Sequence, residues 1–468
     1  MSDTLIYSRE INIKNMLVFT VPTMVRMIFV SMYSIVDGIV VSNYVGSLGL
    51  SAINIVYPVL NVCMALAFMM AAGSSAIIGK KLGEGRTHEA NRFMSLSVIL
   101  TVLGIIALAV IFLQFDEQIY MMLGSDEEML PYCIEYGTIM VAGGPFWALQ
   151  VIFQSYLVTA DRPRLGLGLS ICAGLLNIVL DILLVGVLGW GMQGAAIASV
   201  AGMILAGTVP LTIFFSKKSV IYFERPEWNG NEVLKSLGNG SSEMVSNLAS
   251  AITTTLFNLQ MMELIGEKGV AAISAILYLQ FIFVAIFFGF ASGLAPVISY
   301  NYGAENKDNI KKLFNISAKI VAAFSLSMFI IAEVLNKPLS MIFASQDPIL
   351  LELMVYGFRI IAISVLFSGI TIFSSGFFTA LNNGKISAVI SMLRTFVLEV
   401  GALLLLPVFM GIDGVWWALP IAEILAALVA VYMLMKYRKV IRMKELEQEY
   451  GFCARTIQKA VVSNVGVT

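Results

Sequence analysis

Twelve apolar stretches, each about 20 residues long or longer, dominate the sequence. A helix of that length crosses the hydrocarbon core of a bilayer, which is roughly 30 Å thick. Because lipid offers no hydrogen-bond partners, each stretch has to satisfy its backbone internally, as a helix does. The sequence therefore predicts an all-α polytopic membrane protein with twelve transmembrane helices. They run approximately over residues 17–42, 51–79, 93–115, 131–157, 164–187, 192–214, 242–262, 270–300, 313–335, 351–378, 386–410 and 414–435.

The composition agrees with this prediction and excludes several classes of protein. Hydrophobic residues make up 59% of the chain and charged residues only 13%, against about 25% charged residues in soluble domains. The net charge of −1 offers no attraction to nucleic acid. One histidine and four scattered cysteines leave no metal or catalytic constellation, so we expect neither an enzyme nor a bound cofactor. The absence of a Gly-x-x-x-x-Gly-Lys-Ser/Thr loop excludes a nucleotide-driven pump.

Lysine and arginine in the short loops predict the orientation, because these residues stay on the cytoplasmic side of a membrane. The opposite set of loops holds only Lys268 and Lys337. We therefore expect a multi-pass protein of the cell's inner (plasma) membrane with both termini in the cytoplasm. The basic loops contain Lys80, Lys81, Arg86, Arg92, Arg162, Arg164, Lys217, Lys218, Arg225, Lys235, Lys307, Lys311, Lys312 and Lys385.

The chain also repeats itself at an offset of 220 positions. Gly46 aligns with Gly266, Gly83 with Gly303, and the pair Thr159-Ala160 with Thr379-Ala380. Each repeat holds six spans, an even number, so the halves are parallel and related by an axis along the membrane normal. Two such six-helix bundles around a central cavity form a transporter architecture. The predicted segments are a cytoplasmic N-terminal segment 1–16, an N-lobe 17–214, an inter-lobe loop 215–241, a C-lobe 242–435 and a cytoplasmic tail 436–468.

A few polar residues inside the N-lobe spans are candidates for ion binding, since buried charges are costly in a bilayer. Asp37 lies in span one, Asn177 and Asp181 share one face of span five, and Ser199 lies in span six. Their oxygen atoms suit a sodium-like ion. Alternatively, two neighbouring acids hold a proton at neutral pH. In a third interpretation the role is structural, and each Asp only caps a broken helix or satisfies a polar neighbour. For Ser199 the choice between ion binding and a structural role is open.

Further polar residues in the spans are candidates for the cavity and for a C-lobe ion pair. Arg394 and Glu399 lie five residues apart, a spacing that does not share an α-helical face well. We favour Glu399 as a partner for arginine over Glu399 as a second coupling acid. Polar side chains in otherwise apolar spans are candidate contacts for a substrate. They are Tyr33, Gln150, Gln154, Asn247 and Gln280.

The loops after spans two and eight, Gly79–Arg86 and Ser299–Lys307, resemble those of the multidrug and toxic compound extrusion (MATE) family, and the turns Thr159–Pro163 and Thr379–Gly384 agree. The resemblance covers the chain from Asn15 to about Lys436.

In that family an Asp in the first span, an Asn-x-x-x-Asp in the fifth and a hydroxyl in the sixth form an N-lobe cation site. The resemblance assigns these roles to Asp37, Asn177, Asp181 and Ser199, although threonine is commoner at the last position. Span seven has no acid between Leu248 and Asn258, which favours the branch that includes the DinF-like and MepA-like pumps and leaves proton or sodium coupling open.

The resemblance implies an antiporter that exports amphiphilic, often cationic drugs or toxic compounds by alternating access of its two lobes. Its partners would be these small molecules and the lipid bilayer, its driving ion H+ or Na+, and it would work as a monomer. The alternative is a flippase for lipid-linked saccharides of the same wider superfamily, for which Arg26, Arg359 and Arg394 would bind the anionic carrier. The major facilitator superfamily ranks well below, because its Asp-Arg loop signature does not occur in Gly79–Arg86.

Overall fold

The computed structural model describes residues 10–344 and 347–437, except for the side chains of 33–39, 42, 47 and 50. Within these ranges the chain forms helices and short loops, and no strand. Two π-helical segments, Ile182–Val187 and Met392–Glu399, continue α7 and α14. The helices are α1 (Ile13–Tyr44), α2 (Ser47–Gly83), α3 (Thr87–Gln114), α4 (Asp116–Met122), α5 (Leu130–Ala142), α6 (Gly144–Thr159), α7 (Pro163–Asp181), α8 (Gly191–Phe214), α9 (Gly230–Leu264), α10 (Glu267–Gly303), α11 (Lys307–Ala344), α12 (Pro348–Ala362), α13 (Val365–Ala380), α14 (Gly384–Ser391), α15 (Val400–Met410) and α16 (Ile412–Tyr437).

Each of the twelve predicted spans coincides with a helix or a bent helix pair, and eleven of the twelve are long and apolar enough to cross a membrane. Among the described residues, nine helical segments are long and apolar enough to cross a membrane. The pairs α5–α6 and α12–α13 each make one further span, bent by 49° and 46°. The first bend precedes Pro145, whose ring cannot continue the hydrogen-bond ladder of a helix. The seventh span is α9, whose serine, threonine and asparagine residues make it less apolar than the others.

The helix boundaries differ from the predicted segments at the junction of the lobes. The predicted inter-lobe loop is residues 215–241, but α9 begins at Gly230, because the Asn229 side chain accepts a hydrogen bond from the backbone of Glu232 and caps the helix. The remaining segment, 215–229, lies along the start of α3, where the Asn91 and Ser95 side chains accept backbone hydrogen bonds from it. Most of the predicted terminal segments, 1–9 and 438–468, lie outside the described residues.

The internal repeat is visible in the backbone as well as in the sequence. Gly46 and Gly266 stand 220 positions apart and both have a positive φ, 92° and 89°. The same spacing relates Gly191 to Gly411, with φ of 54° and 56°. The bent spans break after Ala142 and after Ala362, again 220 positions apart. Equal turns at equal positions confirm two parallel six-span repeats.

The two lobes meet along a seam of glycines, defined here as Gly73, Gly83, Gly240, Gly289 and Gly303. A Cβ on Gly240 would lie 1.8 Å from the carbonyl oxygen of Met69, and one on Gly303 1.9 Å from that of Lys80. The loops at one end of the helices form a face that is called the basic face here. The seam glycines lie in the half of the molecule nearer this face. Its loops are residues 84–86, 160–162, 215–229, 304–306 and 381–383. Only glycine lets the helices of the two lobes cross this closely.

An ion-pair network reinforces the seam at the basic face. The Lys81 side chain is 7% exposed, and its Nζ lies 2.7 Å from Glu89 Oε2 and 2.7 Å from Glu232 Oε1. These three residues belong to α2, α3 and α9, so the network links the N-lobe to the first helix of the C-lobe.

Candidate functional site

The N-lobe polar residues of α7 and α8 come together inside the lobe. Asn177 is 3% exposed and Asp181, one turn further along α7, is 0% exposed. The Asn177 side-chain amide donates to Ser199 Oγ at 3.3 Å. Gly202 lets α8 approach α7, since a Cβ there would lie 3.0 Å from the carbonyl oxygen of Ala173. The structure thus places Asn177 next to Ser199, with Asp181 one turn further along α7 and fully buried, and a common ion site of the three residues stays a prediction.

Asp37, the fourth predicted member, lies in α1, and its side chain is outside the described part of the structure, as is that of Tyr33. The helix itself packs along α7 and the π-helical segment that follows Asp181. The backbone therefore brings Asp37 into the correct neighbourhood, while its contacts stay a prediction. π-Helical turns are rare and frequently occur at functional sites, and this one begins directly after Asp181.

Chemically, the N-lobe site combines a fully buried carboxyl group with an amide and a hydroxyl. A carboxylate at this depth of a bilayer needs a compensating positive charge or a proton. Asn177 and Ser199 supply a hydrogen-bonded pair of neutral oxygen-bearing groups beside it. Such a set can hold a small cation or a proton, and no other chemistry is expected from it.

In the C-lobe, Arg394 pairs with Glu423 of α16 and not with the predicted partner Glu399. Arg394 Nε and Nη2 lie 2.8 Å and 2.7 Å from Glu423 Oε1, and Thr371 Oγ1 donates to Glu423 Oε2 at 3.0 Å. The pair is buried, with side-chain exposures of 13% and 2%. Glu399 lies near Arg394 without forming a salt bridge to it, and near Thr253 of α9.

The sequence matches a known family model. The family model MatE matches the chain twice, over residues 22–183 and 243–404. The two matches start 221 positions apart, within one position of the 220-residue repeat, and together they cover more than half of the chain. The chain belongs to the MatE family. It is a MATE transporter of the MepA-like kind, and the first match contains Asp37, Asn177 and Asp181.

Curated relatives of this MATE transporter align over almost their full lengths. The multidrug export protein MepA of Staphylococcus haemolyticus is 26% identical over 93% of this chain and 96% of its own. MepA of Staphylococcus aureus is 25% identical over 90% of this chain and 94% of its own. The FAD transporter of Shewanella oneidensis is 24% identical over 88% of this chain and 92% of its own.

Solved structures share the fold of the MATE chain. An outward-facing multidrug resistance MATE family transporter superposes with a TM-score of 0.86 at 22% identity, covering 92% of this chain and 97% of that one. A MATE protein in the straight conformation superposes with a TM-score of 0.86 at 21% identity. One in the bent conformation superposes with a TM-score of 0.83 at 22% identity. Both superpositions cover 92% of this chain and 97% of the other.

The predicted cavity residues of the MATE chain fall into two groups. Gln150, Asn247 and Gln280 are partly exposed, and the Asn247 amide donates to the backbone oxygen of Glu243 at 2.8 Å. Gln154 is only 4% exposed and lies inside the N-lobe, where its Oε1 would be 2.8 Å from a Cβ on Gly166. The structure therefore places Gln154 between α6 and α7 and away from the space between the lobes.

Two tyrosines that sequence reasoning did not single out lie close to each other across the two lobes. Tyr57 of α2 is 51% exposed and Tyr278 of α10 is 55% exposed. They come from different lobes and are close enough to interact electrostatically. Tyr57 aligns within one position of Tyr278 in the 220-residue repeat, and this was the available signal. Both tyrosines lie toward the ends of α2 and α10 that are far from the basic face.

Proposed function

We propose that this MATE transporter exports amphiphilic, often cationic compounds in exchange for protons or sodium ions that bind at Asp37 and Asp181. The observation that carries the proposal is the buried Asp181 carboxyl group beside the Asn177–Ser199 hydrogen bond, in a chain of this family. The multidrug export function of the MepA relatives supports the cargo class. Aromatic faces such as those of Tyr57 and Tyr278 suit organic cations, which they attract by cation–π interactions.

In this proposal the basic face is cytoplasmic, because lysine and arginine concentrate in its loops. The glycine seam then closes the cytoplasmic side, and the proposal puts the opening of the cavity at the other side, where the exposed Tyr57 and Tyr278 lie. Binding of the coupling ion in the N-lobe would favour opening of the seam, and its release would favour the arrangement seen here. One chain supplies both lobes and the seam, so a monomer suffices.

An anionic cargo, as in the flippase alternative or by analogy with the FAD transporter, is less well supported. Arg394 is neutralised by Glu423, with Nη2 2.7 Å from the carboxylate. Arg359 lies 3.6 Å from Glu333 and is 68% exposed. Two of the three arginines that favoured an anion therefore already have acidic partners.

The test is efflux of ethidium, a fluorescent cation, from vesicles under a proton or a sodium gradient imposed one at a time. We expect one gradient to drive efflux by the wild type, and both Asp37→Asn and Asp181→Asn to abolish it. Asp413→Asn, the same substitution at an exposed residue in the first turn of α16 that accepts a hydrogen bond from Tyr356, is the matched control and should transport normally. Undiminished efflux by Asp181→Asn would contradict the coupling role, and a response to neither gradient would favour the flippase alternative.

A further inference from the structure

The buried face of α7 carries three polar residues, Ser170, Asn177 and Asp181, with Gly166 nearer the basic face and Ala173 between Ser170 and Asn177. Gly166, Ser170, Asn177 and Asp181, called the row here, are all buried. At about 100° per residue they fall within roughly 60° of one another on the helix surface, and they span about 22 Å along its axis. Gln154 joins this row from α6, because its amide oxygen lies directly over Gly166.

Several polar atoms of this row have no hydrogen-bond partner among the described residues. They are both amide atoms of Gln154, the hydroxyl of Ser170 and the amide oxygen of Asn177. Elsewhere in the spans, buried hydroxyls such as those of Thr20, Ser95 and Thr101 bond to the carbonyl group four residues earlier. Single buried hydroxyls at Ser236, Ser317, Ser325 and Ser364 also have no partner among the described residues, so the row is distinguished by having three such residues next to the same helix face. Leaving a buried polar group unpaired costs about 1–3 kcal/mol. The unpaired atoms of the row therefore need hydrogen-bond partners. Water supplies such partners in protein interiors, and each buried water molecule makes about three hydrogen bonds.

The charges around the row favour a proton over a metal cation as the species that moves. The enclosing helices α6 and α8 contain no Asp, Glu, Lys, Arg or His. Sodium-like ions need several oxygen ligands at one point, whereas the groups here are spread along the helix. The charged residues of the other helices around α7 are Arg164 of α7 itself and Lys14, Arg26 and Asp37 of α1. The helices α2 and α3, which pack against α6, carry Lys80, Lys81, His88, Glu89 and Arg92 at their basic-face ends.

We propose that Gln154, Ser170 and Asn177 hold a chain of water molecules through which Asp181 releases its proton to the basic face. The proposal rests on the proposed function and specifies its coupling ion. Asp181 gives its proton to the water beside Asn177, each water passes one proton to the next, and the last reaches bulk water. The carboxylate is regenerated, and no proton crosses the space between the lobes. Gln154 and Ser170 act as positioning residues for this water.

The test compares substitutions of nearly equal shape in liposomes, with ethidium as the substrate and a pH-sensitive dye reporting proton movement. Ser170→Val and Gln154→Met should lower proton-driven transport by about tenfold or more, because each removes a water partner. Ser170→Thr, which matches valine in shape but keeps the hydroxyl, should transport normally. The matched control is Thr208→Val on α8, where the hydroxyl bonds only to the carbonyl oxygen of Ile204.

A second measurement separates a water chain from a packing defect. If proton release limits the rate in Ser170→Val, transport in D2O should slow more than it does for the wild type, with unchanged ethidium binding. Three outcomes would each overturn the proposal. The first is an equal loss of transport in Ser170→Thr and Ser170→Val, and the second is normal transport by both Ser170→Val and Gln154→Met. The third is transport driven by sodium alone. If Asp181→Asn abolishes transport in those cases, the exporter proposal stands and only the water chain fails.

Discussion

Gly240 provides the sharpest test of how the lobes close, because α2 and α9 touch there without any side chain between them. In Gly240→Ala the new Cβ would lie 1.8 Å from the carbonyl oxygen of Met69 and 3.0 Å from the backbone nitrogen of Gly73. Ordinary contact begins at 3.4 Å, so the helices have to separate by about 1.6 Å. Both atoms belong to backbone, which cannot rotate away as a side chain would.

The expected effect is a shift in the balance between conformations, with the protein still folded. Overpacking of this kind costs about 1–3 kcal/mol, which corresponds to about 5- to 150-fold in an equilibrium. The cost applies only while the seam is closed, so the variant should favour a state that opens at the basic face. The matched control is Gly238→Ala on the same helix, where a Cβ meets nothing within 4 Å.

The assay is the distance between spin labels on cysteines that replace Tyr57 and Tyr278, measured by pulsed electron paramagnetic resonance. In Gly240→Ala this distance should shorten as the outer side closes, while Gly238→Ala should match the starting protein. If Gly240→Ala and Gly238→Ala gave the same distances, the seam would not control the conformational balance.

Two further predictions concern the ion pairs. Arg394→Met should lower the unfolding free energy by about 3–5 kcal/mol, because Glu423 keeps a buried charge without its partner. The control Arg359→Met removes an exposed pair and should lower the unfolding free energy by at most about 1 kcal/mol. Equal melting temperatures for the two variants would contradict this difference. Lys81→Met should shift the same label distance in the direction of Gly240→Ala, since it removes the bridges to Glu89 and Glu232. Lys80→Met loses its 3.6 Å pair with Glu84 and a cation–π contact with the Tyr302 ring. It removes no buried ion pair between the lobes, so it should shift the distance less than Lys81→Met does.

Sequence periodicity was sufficient for the spans and the repeat, because both depend on local patterns. The hydrogen bond between Asn177 and Ser199 joins neighbouring helices, since α7 and α8 are consecutive and antiparallel across a short connection. Long-range geometry was not accessible in this way. Glu423 lies 29 residues from Arg394 on another span, and no local pattern relates the two.

Two other features depend on how the backbone deviates from a regular α-helix. The segment Met392–Glu399 is π-helical, so face arguments based on about 100° per residue do not hold for Arg394 and Glu399. The burial of Gln154 depends on Gly166, which lets the amide lie against α7. A polar residue in an apolar span is therefore as compatible with the interior of a lobe as with a cavity.

The central claim is that ion movement through the N-lobe is coupled to movement of an organic cation. It is tested most directly by loading liposomes that contain the purified protein with a pH-sensitive dye and a sodium-sensitive dye, then imposing an ethidium gradient with no ion gradient. Ethidium movement should drive one ion in the opposite direction in the wild type and in Asp413→Asn, and no ion in Asp181→Asn. Ethidium movement without any ion flux in the wild type, or equal ion flux in Asp181→Asn, would contradict the account.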